Sequence, residues 1–345
     1  MSGAPMTVAP ALSVEGLCVE FRTRGGIVRA LDNVSFGVAK GETIARVGES
    51  GSGKSVTAYA VMGILDPAGR VTGGRAMLGG LDLLSATPSQ MAEVRGRDIS
   101  MIFQNPRTAL NPIRTVGRQI ADVLIRHGNV PRREAPEAAV EMLRSVGITD
   151  PSRRAKAYPF EMSGGMCQRV MIAIALAAKP TLLIADEPTT GLDVTTQAVI
   201  MDLVNDLAGK MGMATIFITH DLALAGQRSA RIVVMHAGHV VENALTKELF
   251  EHPRHPYTAE LIAATPDSAA SLDELASIPG SLPDLRRTDL PPCRYSERCP
   301  RKIAACAQPL PQPVPGVDHI VACWNPIDVA TTSSPSIVAA EVSAA

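Results

Sequence analysis

Three short apolar runs, Thr43 to Val47, Thr181 to Ala185 and Ala214 to Thr219, punctuate the first two-thirds of the chain, each followed by Gly, Asp or His. Runs of that length suit strands buried on both faces of a parallel sheet. Between them the period changes. Apolar residues recur at helical spacing in Val116 to Ile125 and Ala138 to Val146, and the segments Val56 to Leu65 and Val170 to Ala178 also read as helices. Strands alternating with helices from Gly41 to about Pro253 predict an α/β domain. The stretch of about 91–165 has helical character throughout and predicts a helical insert within that domain.

Beyond His252 the pattern dissolves into prolines, from Pro253 and Pro256 through Pro279, Pro291, Pro292 and Pro300 to Pro315. That region predicts a loop-rich module over 253–326. The Ala/Ser/Thr/Val tail over 327–345 has no periodicity and predicts disorder. A length of 345 residues agrees with about two units on a prior of ~150 residues each.

Charge narrows the function. Lys+Arg number 33 against Asp+Glu 34, a balance that argues against a general nucleic-acid binder, and aromatics at 3% leave few stacking platforms. An anion bound here must be held locally. Met1 to Pro10 has neither the basic start nor the apolar run of a signal peptide, so a non-secreted chain is expected. The most apolar stretch, Val170 to Ala185, is interrupted by Lys179 and Pro180, well short of the ~20 residues a spanning helix needs.

A local anion site is written into Gly48-Glu49-Ser50-Gly51-Ser52-Gly53-Lys54-Ser55, which fits GxxxxGK[ST] between a predicted strand and a predicted helix. Glycines let backbone N–H groups close around phosphates, the helix N-terminus adds partial positive charge, Lys54 reaches the β and γ phosphates, and Ser55 can ligate Mg2+. Downstream, Leu182 to Ala185 ends in Asp186-Glu187. Adjacent carboxylates leaving a buried strand need a cation or proton partner. Asp186 is expected to hold Mg2+ and Glu187 to orient or polarise the attacking water.

Ser163-Gly164-Gly165-Met166-Cys167-Gln168-Arg169 resembles the LSGGQ-type signature of ABC-transporter ATPases. The order of elements matches that family too. Phe21 stands as the adenine-stacking aromatic, then come the P-loop, Gln104 of the Q-loop, the signature, Asp186-Glu187, the D-loop Thr190-Gly191-Leu192-Asp193, and the switch His220. The resemblance implies a RecA-like core with an antiparallel β-subdomain and a helical subdomain over 1–252. It implies Glu187, His220 and Gln104 as catalytic residues, Gln104 also contacting Mg2+. It further implies that Ser163, Gly164, Gly165 and Asp193 act on ATP held by a partner's P-loop, so that the enzyme works as a dimer.

Leu110-Asn111-Pro112, Tyr158-Pro159-Phe160-Glu161, His255-Pro256-Tyr257-Thr258 and Ile278 to Leu285 resemble the oligopeptide/dipeptide importer ATPases. That narrower likeness implies ATP-driven uptake of a peptide or related solute at the cytoplasmic face of a bacterial inner membrane. Its partners would be a second ATPase subunit, by family practice a paralogue, two permease subunits and, indirectly, an extracytoplasmic binding protein. A soluble ABC ATPase of translation or DNA repair is the alternative, against which stand the single cassette and the balanced charge. Three positions depart from the pattern: Arg46 in a strand usually apolar, Met162, and Cys167.

Cys293, Cys299, Cys306 and Cys323 are spaced C-x5-C-x6-C-x16-C in a segment poor in apolar residues, where four thiolates around one metal would supply order. Two disulfides or free thiols are the other readings. Four thiolates suit Zn2+ or a 4Fe-4S cluster, and the resemblance favours 4Fe-4S, since some peptide importers carry one in this extension.

Overall fold

The computed structural model describes residues 10–191, 194–265, 277–312 and 318–328. An antiparallel sheet comes first, from β1 (Leu12–Thr23), β2 (Gly26–Val38), β4 (Gly69–Leu78) and β5 (Leu81–Asp82), in the order β2-β1-β4-β5. The second sheet takes β3 (Thr43–Val47), β6 (Ile99–Ile102), β7 (Leu182–Asp186), β8 (Ala214–Ile218), β9 (Arg231–His236), β10 (His239–Leu245) and β11 (Ile320–Val321), in the order β11-β10-β9-β3-β8-β7-β6. β6, β7, β8, β3 and β9 run parallel, and β10 and β11 close that edge antiparallel.

The period of two along the central strands sorts side chains into two cores. Ile44, Leu182, Ile184, Ile216, Ile218, Val233 and Met235 pack against the antiparallel sheet and the Lys54–Met62 helix. Ala45, Val47, Leu183, Ala185, Phe217, Ile232 and Val234 face the helices on the other side. Among these is the Gly164–Leu176 helix, whose start is capped by Ser163 Oγ, which accepts from Met166 N–H at 3.3 Å.

The expected helical stretch contains the helices Val116–His127 and Ala135–Ser145, but Ile99–Ile102 within it is a fully buried strand at the sheet edge. Four residues are too few for periodicity to distinguish strand from helix. The proline-rich C-terminal segment carries little regular structure yet packs back on the core, with Cys293, Tyr295 and Cys306 inside the main hydrophobic cluster. Its β11 pairs with β10, and beside that pair His319 Nε2 lies 2.6 Å from the buried Glu242 carboxylate. Residues 329–345, most of the tail expected to be disordered, lie outside the described residues.

Candidate functional site

Four parallel strands point their carboxyl ends at one place, the position where open α/β sheets hold ligands. β3 delivers the Gly48–Ser55 loop, β7 delivers Asp186 and Glu187, β8 leads to His220, and β6 leads to Gln104. They surround a cavity of about 580 Å³, lined on one side by Ser50, Gly51, Gly53, Lys54 and Ser55, on another by Gln104, Glu187 and His220, and at its apolar end by Phe21, Val28, Ala30 and Leu285.

The loop's shape requires glycine. Gly48 has φ +147°, and a Cβ there would stand 2.1 Å from the Met235 carbonyl; at Gly53, φ +100°, it would meet Leu31 at 2.6 Å. Lys54 Nζ donates to the Gly48 and Glu49 carbonyls at 2.7 and 3.0 Å, lying across the loop. Burial lowers its ammonium below the ordinary value, while the negative charges of Glu187, Asp186 and Glu49 oppose that fall.

Ser55 Oγ donates to Asp186 Oδ1 at 2.7 Å. Asp186 is buried and its Oδ2 has no hydrogen-bond partner within the protein. Burial raises the Asp186 carboxyl, against the influence of Ser55, Tyr59 and Lys54. A serine hydroxyl and a buried carboxylate with one oxygen unpartnered form a hard donor set that fits Mg2+. Tyr59, one helical turn after Ser55, lies beside the same carboxylate; burial and that charge push its phenol up to about 12.

Glu187 is the hub of the opposite wall. Its backbone adopts φ +44°, and its N–H donates to the Ile218 carbonyl at 2.9 Å, tying the end of β7 to β8. Oε2 accepts from Gln104 Nε2 and from Thr190 Oγ1, both at 2.9 Å, and Oε1 lies 3.6 Å from His220 Nδ1. Gln104, Glu187 and His220 are therefore assembled around one carboxylate. Gln104 bonds Glu187 rather than Asp186.

Ser163, Gly164 and Gly165 do not line this cavity, and a Cβ on Gly164 would meet nothing within 4 Å. Asp193 lies outside the described residues.

Arg46, unexplained by the sequence, is 1% exposed. Pairing of β3 with β8 and of β8 with β7 sets Arg46, Ile218 and Asp186 in one row on the face beneath the Lys54–Met62 helix. Its Nη2 donates to Thr57 Oγ1 at 2.9 Å and contacts Met235 Sδ, and its guanidinium lies 4.6 Å from the Phe36 ring centre. Burial brings the guanidinium down to about 9, with the Asp186 charge opposing. The buried cation is thus held by a hydroxyl, a thioether and an aromatic face.

The four C-terminal cysteines depart from expectation. Burial lifts the Cys293 thiol to about 11, with Cys306, Cys323 and Cys299 near enough to add to the rise, and burial likewise raises the thiols of Cys299 and Cys323. All six cysteines are free, and among the described residues no group of three or more His, Cys, Asp or Glu is placed to hold a metal ion. The physical reason is that Cys293 and Cys306 are absorbed into the apolar core, and burial favours the neutral Cys293 thiol over the thiolate a metal requires. As placed, these residues do not fit the expected 4Fe-4S or Zn2+ centre.

Sequence reasoning missed Tyr257, whose Oη accepts from the Glu49 N–H at 3.0 Å, and Arg298, which pairs with both Glu49 carboxylate oxygens at 2.8 and 3.0 Å. It also missed Thr190 as a donor to Glu187 and Leu285 as part of the cavity wall.

The family described as "ABC transporter" matches residues 31–190, and that described as "Oligopeptide/dipeptide transporter, C-terminal region" matches 241–306. The chain is 48% identical over 323 residues to a "Probable peptide ABC transporter ATP-binding protein" of Sinorhizobium fredii, covering 92% of this chain and 96% of that protein. It is 45% identical over 315 residues to the dipeptide transport ATP-binding protein DppD of Bacillus subtilis, covering 91% and 94%. Among solved structures, an ATP-binding cassette, MJ0796, in a dimeric post-hydrolysis state bound to ADP and Pi, has a TM-score of 0.61 at 27% identity, covering 68% of this chain and 98% of that one.

Proposed function

The chain belongs to the ATP-binding proteins of ABC transporters of the oligopeptide/dipeptide type, and from that premise we propose that it hydrolyses ATP in the 580 Å³ cavity to drive peptide uptake through partner permeases. The observation that carries the proposal is the facing of two walls across one cavity: Lys54 and Ser55 on the loop, and Glu187 with Gln104 and His220 opposite. One wall suits polyphosphate, and the other suits a water poised to attack it.

In this reading the loop N–H groups and Lys54 bind the phosphates, and Ser55 and Asp186 hold Mg2+, which supplies charge neutralisation to the triphosphate. Glu187 accepts the proton of a water that attacks the γ-phosphorus; the bond to the bridging oxygen breaks, leaving ADP and phosphate. Gln104 and Thr190 hold Oε2 and so fix the carboxylate's orientation, while His220 donates to a phosphate oxygen. Phe21 stacks on the adenine.

That Ser163, Gly164 and Gly165 do not line the cavity supports a composite site in which they serve the partner cassette's nucleotide. The dimeric state of the similar solved cassette supports the same arrangement. The match over 241–306 disfavours a role in translation or DNA repair. Among the described residues no helix is long and apolar enough to cross a membrane, so attachment to the cytoplasmic face would run through the permeases. The cysteine module enters this scheme as a folded extension; iron and zinc analysis of the purified chain tests whether it carries the cluster that the resemblance implies.

The cargo is tested in liposomes holding the chain with its permeases and second ATPase subunit. Peptide-loaded binding protein should raise ATP hydrolysis there. Hydrolysis indifferent to every peptide offered, in a complex that hydrolyses ATP, would contradict peptide uptake.

A further inference from the structure

Outside the nucleotide motifs, one C-terminal segment reaches both the cavity and the loop beside it. Leu285 stands with Phe21 and Val28 at the apolar end, held there by its own carbonyl, which accepts from the Arg29 N–H at 3.1 Å. Leu282 abuts the loop, where a Cβ on Gly51 would meet its Cδ1 at 3.4 Å. Arg298 reaches the loop's shoulder through its two bonds to Glu49, with a side chain 6% exposed and Nε donating to the Pro279 carbonyl at 2.7 Å.

A nearly buried arginine gripping both oxygens of a carboxylate fixes orientation as well as charge. The charge matters here because Glu49 belongs to a loop shaped to receive an anion, and an unpaired carboxylate at that place would repel it. At the other end, a heterocycle stacked on Phe21 needs an apolar surface to exclude water, and Leu285 supplies one.

We propose that the Leu282–Arg298 segment is a working part of the nucleotide site, in which Leu285 closes the base end and Arg298 neutralises and positions Glu49 of the P-loop. Leu285 is then a determinant of base affinity and Arg298 a positioning residue. The inference rests on the reading of the cavity as an ATP site, and it separates from that reading because the two ends respond to different ligands.

Calorimetric titration of the full chain with MgATP and with inorganic tripolyphosphate, which has phosphates but no base, distinguishes them. Leu285→Ala should weaken MgATP by about fivefold to twentyfold, the scale of the apolar surface that one leucine side chain covers, and leave tripolyphosphate unchanged. Arg298→Met should weaken both ligands, by about tenfold as the Glu49 charge is left uncovered, and adding Glu49→Gln should restore most of that loss by removing the carboxylate. A purely structural role for Arg298 would not be rescued in this way. Melting curves verify folding, and Leu285→Val, a milder change, should shift MgATP in the same direction should Leu285→Ala not fold. Equal effects of the Leu285 variants on both ligands, or no effect, would overturn the base-end assignment; an Arg298→Met loss that Glu49→Gln leaves in place would overturn the other. Wild-type protein that binds neither ligand would instead defeat the ATP reading itself, and this inference with it.

Discussion

The two ends of the cavity are built in opposite ways. The loop that grips the phosphates comes from one unbroken stretch, Gly48 to Ser55, whose first glycine is enforced by the Met235 carbonyl, only 2.1 Å from where a Cβ would stand. The base end and the loop's shoulder are assembled from Phe21 and Val28 on the antiparallel sheet and Tyr257, Leu285 and Arg298 far along the chain. Phosphates demand converging N–H groups, which consecutive residues of one loop can aim at one point. An apolar wall demands shape alone, so any segment that packs there can supply it. The first kind of site therefore has a local signature, and the second has none.

The largest effect expected at the phosphate end is that of Lys54→Ala, which should weaken MgATP about 10- to 100-fold, from the roughly 1.5–3 kcal/mol of a hydrogen bond to a charged group. Titration calorimetry checks it; an affinity equal to that of the wild type would break the contrast by showing that the contiguous loop is dispensable.

Acid should strike the joint between core and extension. His236 contacts Tyr257 and Tyr295 edge-on and lies near Arg298. Burial first, and then Arg298, hold it down at about 3, and burial holds His255 at about 4. Both are neutral in the fold at pH 5, whereas the unfolded chain takes up protons below about 6.5. Their contribution is thus complete above that pH and is lost as pH falls from 6.5 toward 4, by up to about 1.4 kcal/mol per pH unit for each. Urea midpoints between pH 7 and pH 5 should show the slope, and His236→Gln should flatten it.

Smaller effects sharpen the boundary. Tyr257→Phe strands the Glu49 N–H and should cost about 1 kcal/mol of stability, read from the urea midpoint, with nucleotide affinity falling in parallel. Arg46→Leu exchanges a buried cation with an unpartnered Nε for an apolar side chain, and should shift stability by less than about 1 kcal/mol or raise it. A large destabilisation would mean that the Thr57 bond and the Phe36 contact outweigh the cost of burying the charge.

Legibility in the sequence follows the same division. Thr43 to Val47 and Ala214 to Thr219 declare their strands because a strand buried on both faces is apolar at nearly every position. The observed β7 runs one residue past the apolar run, to Asp186, because the carboxylate end of the strand is still paired with β8. Glu187, Gln104 and His220 are readable as an ordered set, but not that Glu187 is the shared centre. Thr190, three residues after Glu187, carries a signal as a turn-forming hydroxyl. Tyr59 carries one by standing one helical turn after Ser55. Arg46 stays opaque because its partners, Phe36, Thr57 and Met235, lie on three different elements. The placement of the cysteines is not legible either, because spacing counts the thiols of a segment, whereas the burial of Cys293 and Cys306 is set by packing against the core.

The central claim is that this cavity hydrolyses ATP through Glu187, and the most direct measurement compares binding with turnover in one variant. Glu187→Gln, assembled with its partner subunits, should bind MgATP as the wild type does while hydrolysis falls about 10²-fold or more, the scale of a lost general base. Hydrolysis by Glu187→Gln at the wild-type rate, with binding intact, would contradict it.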